Sequence, residues 1–379
     1  MAHKIAFFGH NAADAAIRRR MRSFVQDGYT VTGFMMRRSA PKPTEWTNID
    51  LGQTRDGAFA QRIRMMFQGA NTAVTNGTET LRAADLFYAR NLDMLVSAFL
   101  VKRKLKLKTP VIYECLDVHR MMVGNGVIPR ILRFIEGRLL KRCAGLVVSS
   151  PGFLKNYFEQ HHKGRYTSYL VENRLVSGAD YGPRPTSSKL SKAGPLRIGW
   201  YGILRCSRSL GVLARLADRL GDNVEIHLHG KVAEQEIKDF DETISRHPNM
   251  HFSGAYKSPE DLARIYEDSD VVWAGDFMEA GYNSVWLLPN RIYEGGYYAT
   301  PAIAPAGTQT AEWIETGLCG FTIAEPLDDT LAELVQHLQG NRHEIEKKRE
   351  KLLEFPDETF IQPHGEMGSI IANVLQSRL

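Results

Sequence analysis

The sequence contains few cysteines and no long apolar run, and both absences limit what the protein can be. Only four cysteines occur in 379 residues, and they lie far apart without a C-x-x-C pair. This argues against a disulfide framework or a zinc site and is typical of a reducing cytoplasm. The longest apolar stretch, residues 92–101, is too short for a membrane-spanning helix, which needs roughly 20 residues. The brief apolar run near Met1 predicts a strand and not a signal peptide.

The motifs of common cofactors and of metal–diphosphate sites are also missing. No G-x-G-x-x-G follows a predicted strand, which removes the main indication of a dinucleotide cofactor. Two D-x-D strings occur, at Asp239–Asp241 inside a predicted helix and at Asp268–Asp270 before a predicted strand. Neither lies in a loop after a strand, where a metal–diphosphate site needs it. We therefore expect neither a cofactor nor a metal ion.

The charged residues are divided unevenly along a chain of otherwise ordinary composition. Residues 1–180 contain 28 Lys and Arg against 14 Asp and Glu, whereas residues 181–379 contain 20 against 29. A basic half predicts an anionic partner such as nucleic acid, a membrane surface or a phosphorylated substrate. Binding of nucleic acid would require aromatic residues that stack on bases or a known nucleic-acid-binding module. The sequence shows neither, so we expect no nucleic-acid partner.

Short β-branched or aromatic runs alternate with amphipathic stretches in both halves of the chain. Such alternation predicts parallel sheets covered by helices on both faces. We predict an α/β protein of two doubly wound, Rossmann-like domains that face each other across a ligand-binding cleft. The predicted parts are an N-terminal acceptor domain (1–176), a linker (177–195), a C-terminal nucleotide-sugar domain (196–365) and a final helix (366–379) that packs back on the first domain.

A loop after the first predicted strand of the second domain is a candidate phosphate site. It runs from Gly202 to Leu210 and places Arg205 and Arg208 before a predicted helix with Ser209 at its cap. Helix N-termini bind phosphate through free N–H groups, and Arg can hold phosphate oxygens bidentately. The alternative is two solvated arginines, which fits poorly because Arg stabilises helix C-termini.

The segment LPNRIYEGGYYATP predicts a short helix with one carboxylate. Its start, around Asn290 and Arg291, offers N–H groups to a second phosphate. Glu294 lies more than a turn inside, where two acceptor oxygens suit the vicinal diol of a ribose. Two glycines behind it permit close packing. The alternative is a surface acid on a partly buried helix.

Three segments together resemble the C-terminal domain of GT-B glycosyltransferases of family 4: LRIGWYGILRCSRSL, FSGAYKSPEDLARIYEDSDVVWA and LPNRIYEGGYYATPAIA. In that family a Gly is followed six residues later by a Lys or Arg that binds the donor diphosphate, and Gly202 and Arg208 have this spacing. The second Glu of the family's E-x7-E motif binds the donor ribose, and Glu294 matches it. Trp286 replaces the first Glu. Further donor-site candidates are Asn283 and Ser284 as polar substitutes for that Glu, and Tyr256 against the base.

The N-terminal half resembles the acceptor domain of such enzymes more loosely. Loops after its predicted strands carry polar residues where family members bind acceptors. After the strand PVIYEC, family members often place a His that contacts the donor sugar, and His119 is the candidate here. Asp117 or Glu114 is its candidate orienting group, although a lone His more often has a structural role. The acceptor-site candidates are Gly9, His10, Asn11, Asp14, Arg90 and Asn91, and the catalytic candidates are His119, Asp117 and Arg208.

The resemblance implies transfer of a sugar from a UDP or GDP sugar to an acceptor, with retention of configuration and without a metal. The acceptor is expected to be a saccharide, in particular a lipid-linked one of bacterial polysaccharide synthesis. Basic segments at residues 16–24, 101–108 and 130–142 either contact an anionic membrane or form solvated helix faces. We thus expect a cytoplasmic protein, free or peripheral at the inner face of the plasma membrane. The alternatives are an epimerase or phosphorylase of the same architecture and a non-catalytic sugar-nucleotide-binding protein.

Overall fold

A computed structural model of the chain describes residues 2–40, 43–54, 59–187, 194–279 and 281–376, and the chain divides into two compact units. Unit 1 comprises Met1–Glu172 and Pro363–Leu379, and unit 2 comprises Asn173–Gln362. The first boundary lies a few residues before the predicted one, because a strand at Leu175–Val176 pairs with Ile361–Gln362 inside unit 2. The return to unit 1 at Pro363 precedes the predicted start of the final helix for the same reason.

The sheet of unit 1 is parallel, with the order β3-β2-β1-β4-β5-β6-β7. Its central strands are buried on both faces, which explains why they form nearly continuous apolar runs. The strands are β1 (Lys4–Gly9), β2 (Thr30–Arg37), β3 (Thr47–Gln53), β4 (Leu86–Arg90), β5 (Val111–Cys115), β6 (Gly145–Val148) and β7 (Ser168–Leu170).

The helices of unit 1 cover both faces of this sheet. They are α1 (Ala15–Gln26), α2 (Phe59–Ala83), α3 (Leu92–Lys104), α4 (Val127–Leu140), α5 (Pro151–Phe153), α6 (Glu159–His162) and α15 (Glu366–Gln376), with a 3-10 turn at Arg120–Met122 and a π-helical turn at Leu154–Phe158. Helix α1 begins where the Asp14 carboxylate accepts a hydrogen bond from the N–H of Ile17. Helix α15 packs against α1 and adds Met367, Ile371 and neighbouring side chains to the core of unit 1.

Unit 2 has a second parallel sheet, in the order β11-β10-β9-β12-β13-β14, and a small parallel pair, β8 with β15. The strands are β8 (Leu175–Val176), β9 (Leu196–Leu204), β10 (Val224–Val232), β11 (Met250–Phe252), β12 (Val271–Trp273), β13 (Ala302–Pro305), β14 (Gly320–Ile323) and β15 (Ile361–Gln362). The helices are α7 (Ser207–Leu220), α8 (Phe240–Arg246), α9 (Leu262–Glu267), α10 (Asn283–Trp286), α11 (Asn290–Tyr297), α12 (Gln309–Gly317), α13 (Leu327–Gly340) and α14 (His343–Glu354), with 3-10 turns at Gly221–Asn223 and Asp357–Thr359.

The prediction of two doubly wound parallel sheets is confirmed, but two local predictions are wrong. The helix predicted to contain Asp239–Asp241 begins only at Phe240, because β10 continues to Val232 in register with Leu204 of β9. The cap of α7 is Cys206 instead of Ser209: the Cys206 sulfur accepts from the Ser209 N–H. No helix among the described residues is both long enough and apolar enough to cross a bilayer.

Candidate functional site

The loops after β9 and β12, which are neighbours in the sheet of unit 2, are tied together by Asp276. Nη2 of Arg205 donates to Oδ2 of Asp276 at 3.2 Å, and the Ser284 hydroxyl donates to Oδ1 at 3.2 Å. The same hydroxyl accepts from the N–H of Glu279. Burial alone would raise the pKa of Asp276, but Arg205 and the N–H of Met278 hold it below its ordinary value. A charged carboxylate therefore positions two predicted donor-site residues.

Arg208 lies in the first turn of α7 and not before the helix, because α7 begins at Ser207. Its guanidinium lies 4.5 Å from the centroid of the Phe277 ring, and its Nη2 donates to Oε1 of Glu325 at 2.5 Å. Both side chains of this ion pair are largely exposed. An anion that binds at the start of α7 must therefore compete with Glu325 for Arg208.

Glu294 is buried near the middle of α11, which makes the surface-acid alternative wrong. Its Oε2 accepts a hydrogen bond from the Tyr266 hydroxyl at 2.9 Å. Burial, and then the nearby Glu294 charge, raises the pKa of Tyr266 well above its ordinary value, so this phenol stays a donor. The glycines behind Glu294 allow the predicted close packing: a Cβ on Gly295 would lie 3.1 Å from the Thr300 carbonyl oxygen, and one on Gly296 would lie 2.2 Å from the Phe360 ring.

Arg291, in the first turn of the same helix, has a buried guanidinium nitrogen. Nη1 has no hydrogen-bond partner among the described residues. Burial lowers the pKa of Arg291, and the charge of Asp276 opposes that shift. Arg205 and Tyr256 also act on it, so these predicted donor-site residues lie within electrostatic reach of one another. A buried cation with an unsatisfied donor is suited to an anionic ligand.

Three further donor-site candidates lie near the end of a strand or at the start of a helix. Gly202 lies inside β9 with φ at +108°, and a Cβ there would point into open space, so its requirement for glycine is conformational. Asn283 is buried at the start of α10. Asn290 begins α11, and its Oδ1 accepts from Nδ2 of Asn173 at 2.6 Å.

Most acceptor-site candidates of unit 1 lie together where β1 and β4 end. Gly9 closes β1, and the Asn11 side chain accepts from the N–H of Ala13. Nδ2 of Asn91 lies 3.5 Å from Nδ1 of His10, while Asp14 caps α1. Burial lowers the pKa of His10, and Asp14 opposes that shift. His10 is thus a neutral polar group at the carboxyl edge of the sheet.

Arg90 is buried against Glu114 at the end of β4. Its Nε donates to Oε2 of Glu114 at 2.7 Å, and Nε of Arg20 donates to Oε1 at 3.0 Å. Glu114 is completely buried, and these two arginines hold its pKa below normal despite the opposing effect of burial. The idea that Glu114 orients His119 is therefore wrong, because both oxygens of its buried carboxylate are bound by arginines, whereas His119 is exposed.

His119 and Asp117 are both exposed in the loop after β5. Nδ1 of His119 accepts from the N–H of Met121 at 3.2 Å, so in the neutral ring Nε2 carries the proton. A role for either residue in catalysis stays a prediction.

Comparison with known proteins identifies the family to which the chain belongs. No family model matches it. Succinoglycan biosynthesis protein ExoL of Rhizobium meliloti is 37% identical over 347 residues, which cover 89% of this chain and 85% of that protein. The chain belongs to the ExoL family.

Solved structures show that this ExoL-family chain has the GT-B fold of glycosyltransferases. Anabaena HepE in complex with UDP superposes with a TM-score of 0.68 at 16% identity, over 99% of this chain and 100% of HepE. Sucrose-phosphate synthase from Thermosynechococcus elongatus gives 0.72 at 14% identity, over 99% and 100% of the two chains. WaaG, a glycosyltransferase involved in lipopolysaccharide biosynthesis, gives 0.60 at 13%, over 94% and 97%. The predicted fold class and family resemblance are confirmed.

Asp276 is a candidate-site residue of this ExoL-family protein that the D-x-D motif does not identify. The pattern that could have identified it is an acid three residues after the buried strand β12, in the kind of loop where ligands of parallel sheets bind. Within the described residues, no group of three or more His, Cys, Asp and Glu is arranged to hold a metal ion.

Proposed function

We propose that this ExoL-family protein is a glycosyltransferase of surface-polysaccharide synthesis that moves a sugar from a nucleoside diphosphate sugar to an acceptor. The observation that carries the proposal is the group of Arg205, Asp276, Arg291 and the Tyr266–Glu294 pair in unit 2, which are linked by hydrogen bonds and electrostatic interactions. It combines two cations for a diphosphate with a buried acid for a ribose. HepE has been solved with UDP and with UDP-glucose, which supports a uridine donor.

Each donor-site residue has a proposed role. Arg205, Arg291 and the N–H groups at the start of α11 bind the diphosphate, and Arg208 joins them when it leaves Glu325. Their charge stabilises the diphosphate as it departs, so that the reaction needs no metal ion. Glu294 accepts hydrogen bonds from the ribose hydroxyls, and Tyr256 lies against the base. As the family resemblance implies, the anomeric configuration is retained.

The acceptor is proposed to be a lipid-linked saccharide that binds to unit 1. The polar group of His10, Asn11 and Asn91 at the carboxyl edge of the first sheet supports a carbohydrate site, since sugars are bound by convergent neutral donors and acceptors. The excess of basic residues in the first half of the chain supports a location at the inner, anionic face of the plasma membrane. His119 is proposed to contact the transferred sugar.

The test is binding of UDP and GDP to the wild-type protein and to Glu294→Gln, measured by calorimetry. Gln keeps an oxygen for the Tyr266 hydroxyl, so the fold survives, but one acceptor for the ribose becomes a donor. We expect UDP affinity to fall about tenfold or more, the loss typical of a charged hydrogen bond. Tyr266→Phe, which removes the partner and keeps the carboxylate, is the matched control and should cost much less. Equal UDP affinity in Glu294→Gln and the wild type would overturn the ribose role.

A further inference from the structure

We propose that α4 is a membrane-surface helix, whose exposed apolar stripe inserts among the lipids of an anionic bilayer. The stripe consists of five large apolar side chains that are each between 37% and 72% exposed. They recur at the spacing of one helix face over two turns. The members of the stripe are Val127, Ile128, Ile131, Phe134 and Ile135.

The opposite face of α4 is buried and carries a carboxylate, that of Glu136. Oε1 of Glu136 accepts from the Tyr113 hydroxyl at 2.8 Å, and Oε2 accepts from the Tyr157 hydroxyl. Nε2 of His162 lies 2.8 Å from the same Oε2. A buried carboxylate is costly without such partners. The helix therefore cannot rotate to bury its apolar stripe without breaking this network.

The loop before α4 holds the helix in the same orientation. Nη1 of Arg133 donates to the carbonyl oxygens of Met122 at 2.6 Å and Gly124 at 2.9 Å. The exposure of the stripe is thus a fixed property of unit 1.

The charges around the stripe indicate a lipid surface rather than a protein. Glu136 is the only acid of α4 and is buried, so the exposed face of this described helix has no negative charge. The guanidinium of Arg138 lies 5.2 Å from the centroid of the Phe134 ring, which leaves it at the border of the stripe. Apolar side chains bordered by cations are the pattern of helices that lie in a bilayer interface. The exposed cations of this segment are Arg130, Arg138, Lys141 and Arg142.

Helix α3 extends the basic surface. It packs against α4, and both helices run from the carboxyl edge of the sheet back to its amino edge. Their C-terminal cations, which include the exposed Arg103 and Lys104, therefore lie at the same edge. The start of α4 lies at the other edge, where β5 ends and the acceptor-site candidates are found. The purpose of the contact rests on the proposed function: it brings the acceptor loops of unit 1 to a lipid-linked substrate.

The experiment is sedimentation of the full-length protein with two kinds of vesicle, phosphatidylcholine alone and phosphatidylcholine mixed with phosphatidylglycerol. The test variant is Ile131→Ser with Phe134→Ser, which alters only exposed positions. The matched control is Val25→Ser with Phe67→Ser, which removes two equally exposed apolar side chains of unit 1 from other helices. A third variant, Arg130→Gln with Lys141→Gln, tests the charges.

We expect the wild type and the matched control to bind the mixed vesicles alike. The stripe variant should lose about tenfold or more in partition coefficient, from the two lost apolar side chains. The charge variant should bind the mixed vesicles more weakly, since each cation near an anionic surface contributes about fivefold. Failure of the wild type to bind the mixed vesicles, or equal binding by the stripe variant and the matched control, overturns the proposal.

Two further measurements separate this proposal from its rivals. If the wild type is a dimer in vesicle-free ultracentrifugation, and the stripe variant is a monomer with unchanged vesicle binding, the stripe is a subunit contact and the proposal falls. UDP binding is measured on the same samples and depends on unit 2. If the wild-type protein binds UDP but not the mixed vesicles, only the membrane role is contradicted; if it binds the mixed vesicles but not UDP, only the proposed function is contradicted.

Discussion

At the scale of single residues, burial decides what each polar side chain can do. Burial lowers the pKa of His10, and Arg38 and Arg90 add to this, while Asp14 and Asp93 oppose it. The imidazole is therefore neutral near pH 7 and can both donate to and accept from a sugar hydroxyl. As the pH falls below about 6.5, the unfolded chain binds the proton more readily than the folded one, so the stability of unit 1 decreases.

Replacement of Asp14 by Asn tests this balance, because Asn still caps α1 but carries no charge. Loss of the nearby charge, 3.9 Å from Nε2 of His10, should lower the pKa of His10 further. The pKa is measured by NMR titration of the imidazole protons. Asp85→Asn, which removes a carboxylate beside His3 instead, is the control and should leave His10 unchanged. A higher His10 pKa in Asp14→Asn would contradict the assignment.

At the scale of elements, α11 shows how a helix can bring an acid into a buried site. Its N-terminal turn carries Arg291, its middle carries Glu294, and its glycine face lies close to Thr300 and Phe360. The chain then leaves the helix at Ala299, which has φ at +55°, and enters Pro301 and β13. Small residues on one face thus set the depth at which the acid on the same helix lies.

Gly296→Ala should destabilise unit 2 by about 1–3 kcal/mol, because the new Cβ would lie 2.2 Å from a carbon of the buried Phe360 ring. Gly340→Ala, at the end of α13 with open space around it, should be neutral or slightly stabilising. Urea unfolding followed by tryptophan fluorescence measures the effect, because four of the five tryptophans belong to unit 2. Equal midpoints for the two variants would show that α11 does not depend on this close packing.

At the scale of the whole molecule, the first and last segments of the chain together form unit 1, and the segment between them forms unit 2. Three hydrogen bonds join the C-terminal segment to the residues that follow α1. The Asp27 carboxylate accepts from the N–H groups of Gly365 and Gly368, and the Tyr29 hydroxyl donates to the Gly368 carbonyl. Ile371 enters the core between these elements and is almost completely buried. The stability of the N-terminal unit therefore depends on contacts between residues 338 to 341 positions apart in the chain.

Ile371→Ala should destabilise unit 1 by about 2–5 kcal/mol, the usual cost of a large-to-small change in a core. Hydrogen exchange of full-length protein should show faster exchange in α1 and β1. UDP affinity should not change, because every donor-site candidate lies in unit 2. Asn373→Ala, an exposed change on the same helix, serves as the control. Uniform acceleration of exchange throughout unit 2 would argue against separate cores.

The sequence by itself determined the fold class and predicted the donor-site candidates. Parallel strands buried on both faces form nearly continuous apolar runs, so β1, β5 and β9 are visible in the sequence, and Pro289 and Pro301 enclose α11. Strand β3 and helix α2 are not apparent from the sequence pattern, because only Leu51 of β3 is buried and α2 is kinked at Gly77.

Only the tertiary structure decided which charged residues form ion pairs. Glu114 and Arg20 are 94 positions apart, and Arg205 and Asp276 are 71 apart, so no local pattern could pair them. Nor could helical periodicity show that α4 has its acid inside and its apolar side chains outside, since the partners of Glu136 come from β5 and from the helical segment after β6. Local propensity and pattern depend on neighbours along the chain, whereas ion pairing and burial depend on neighbours in space.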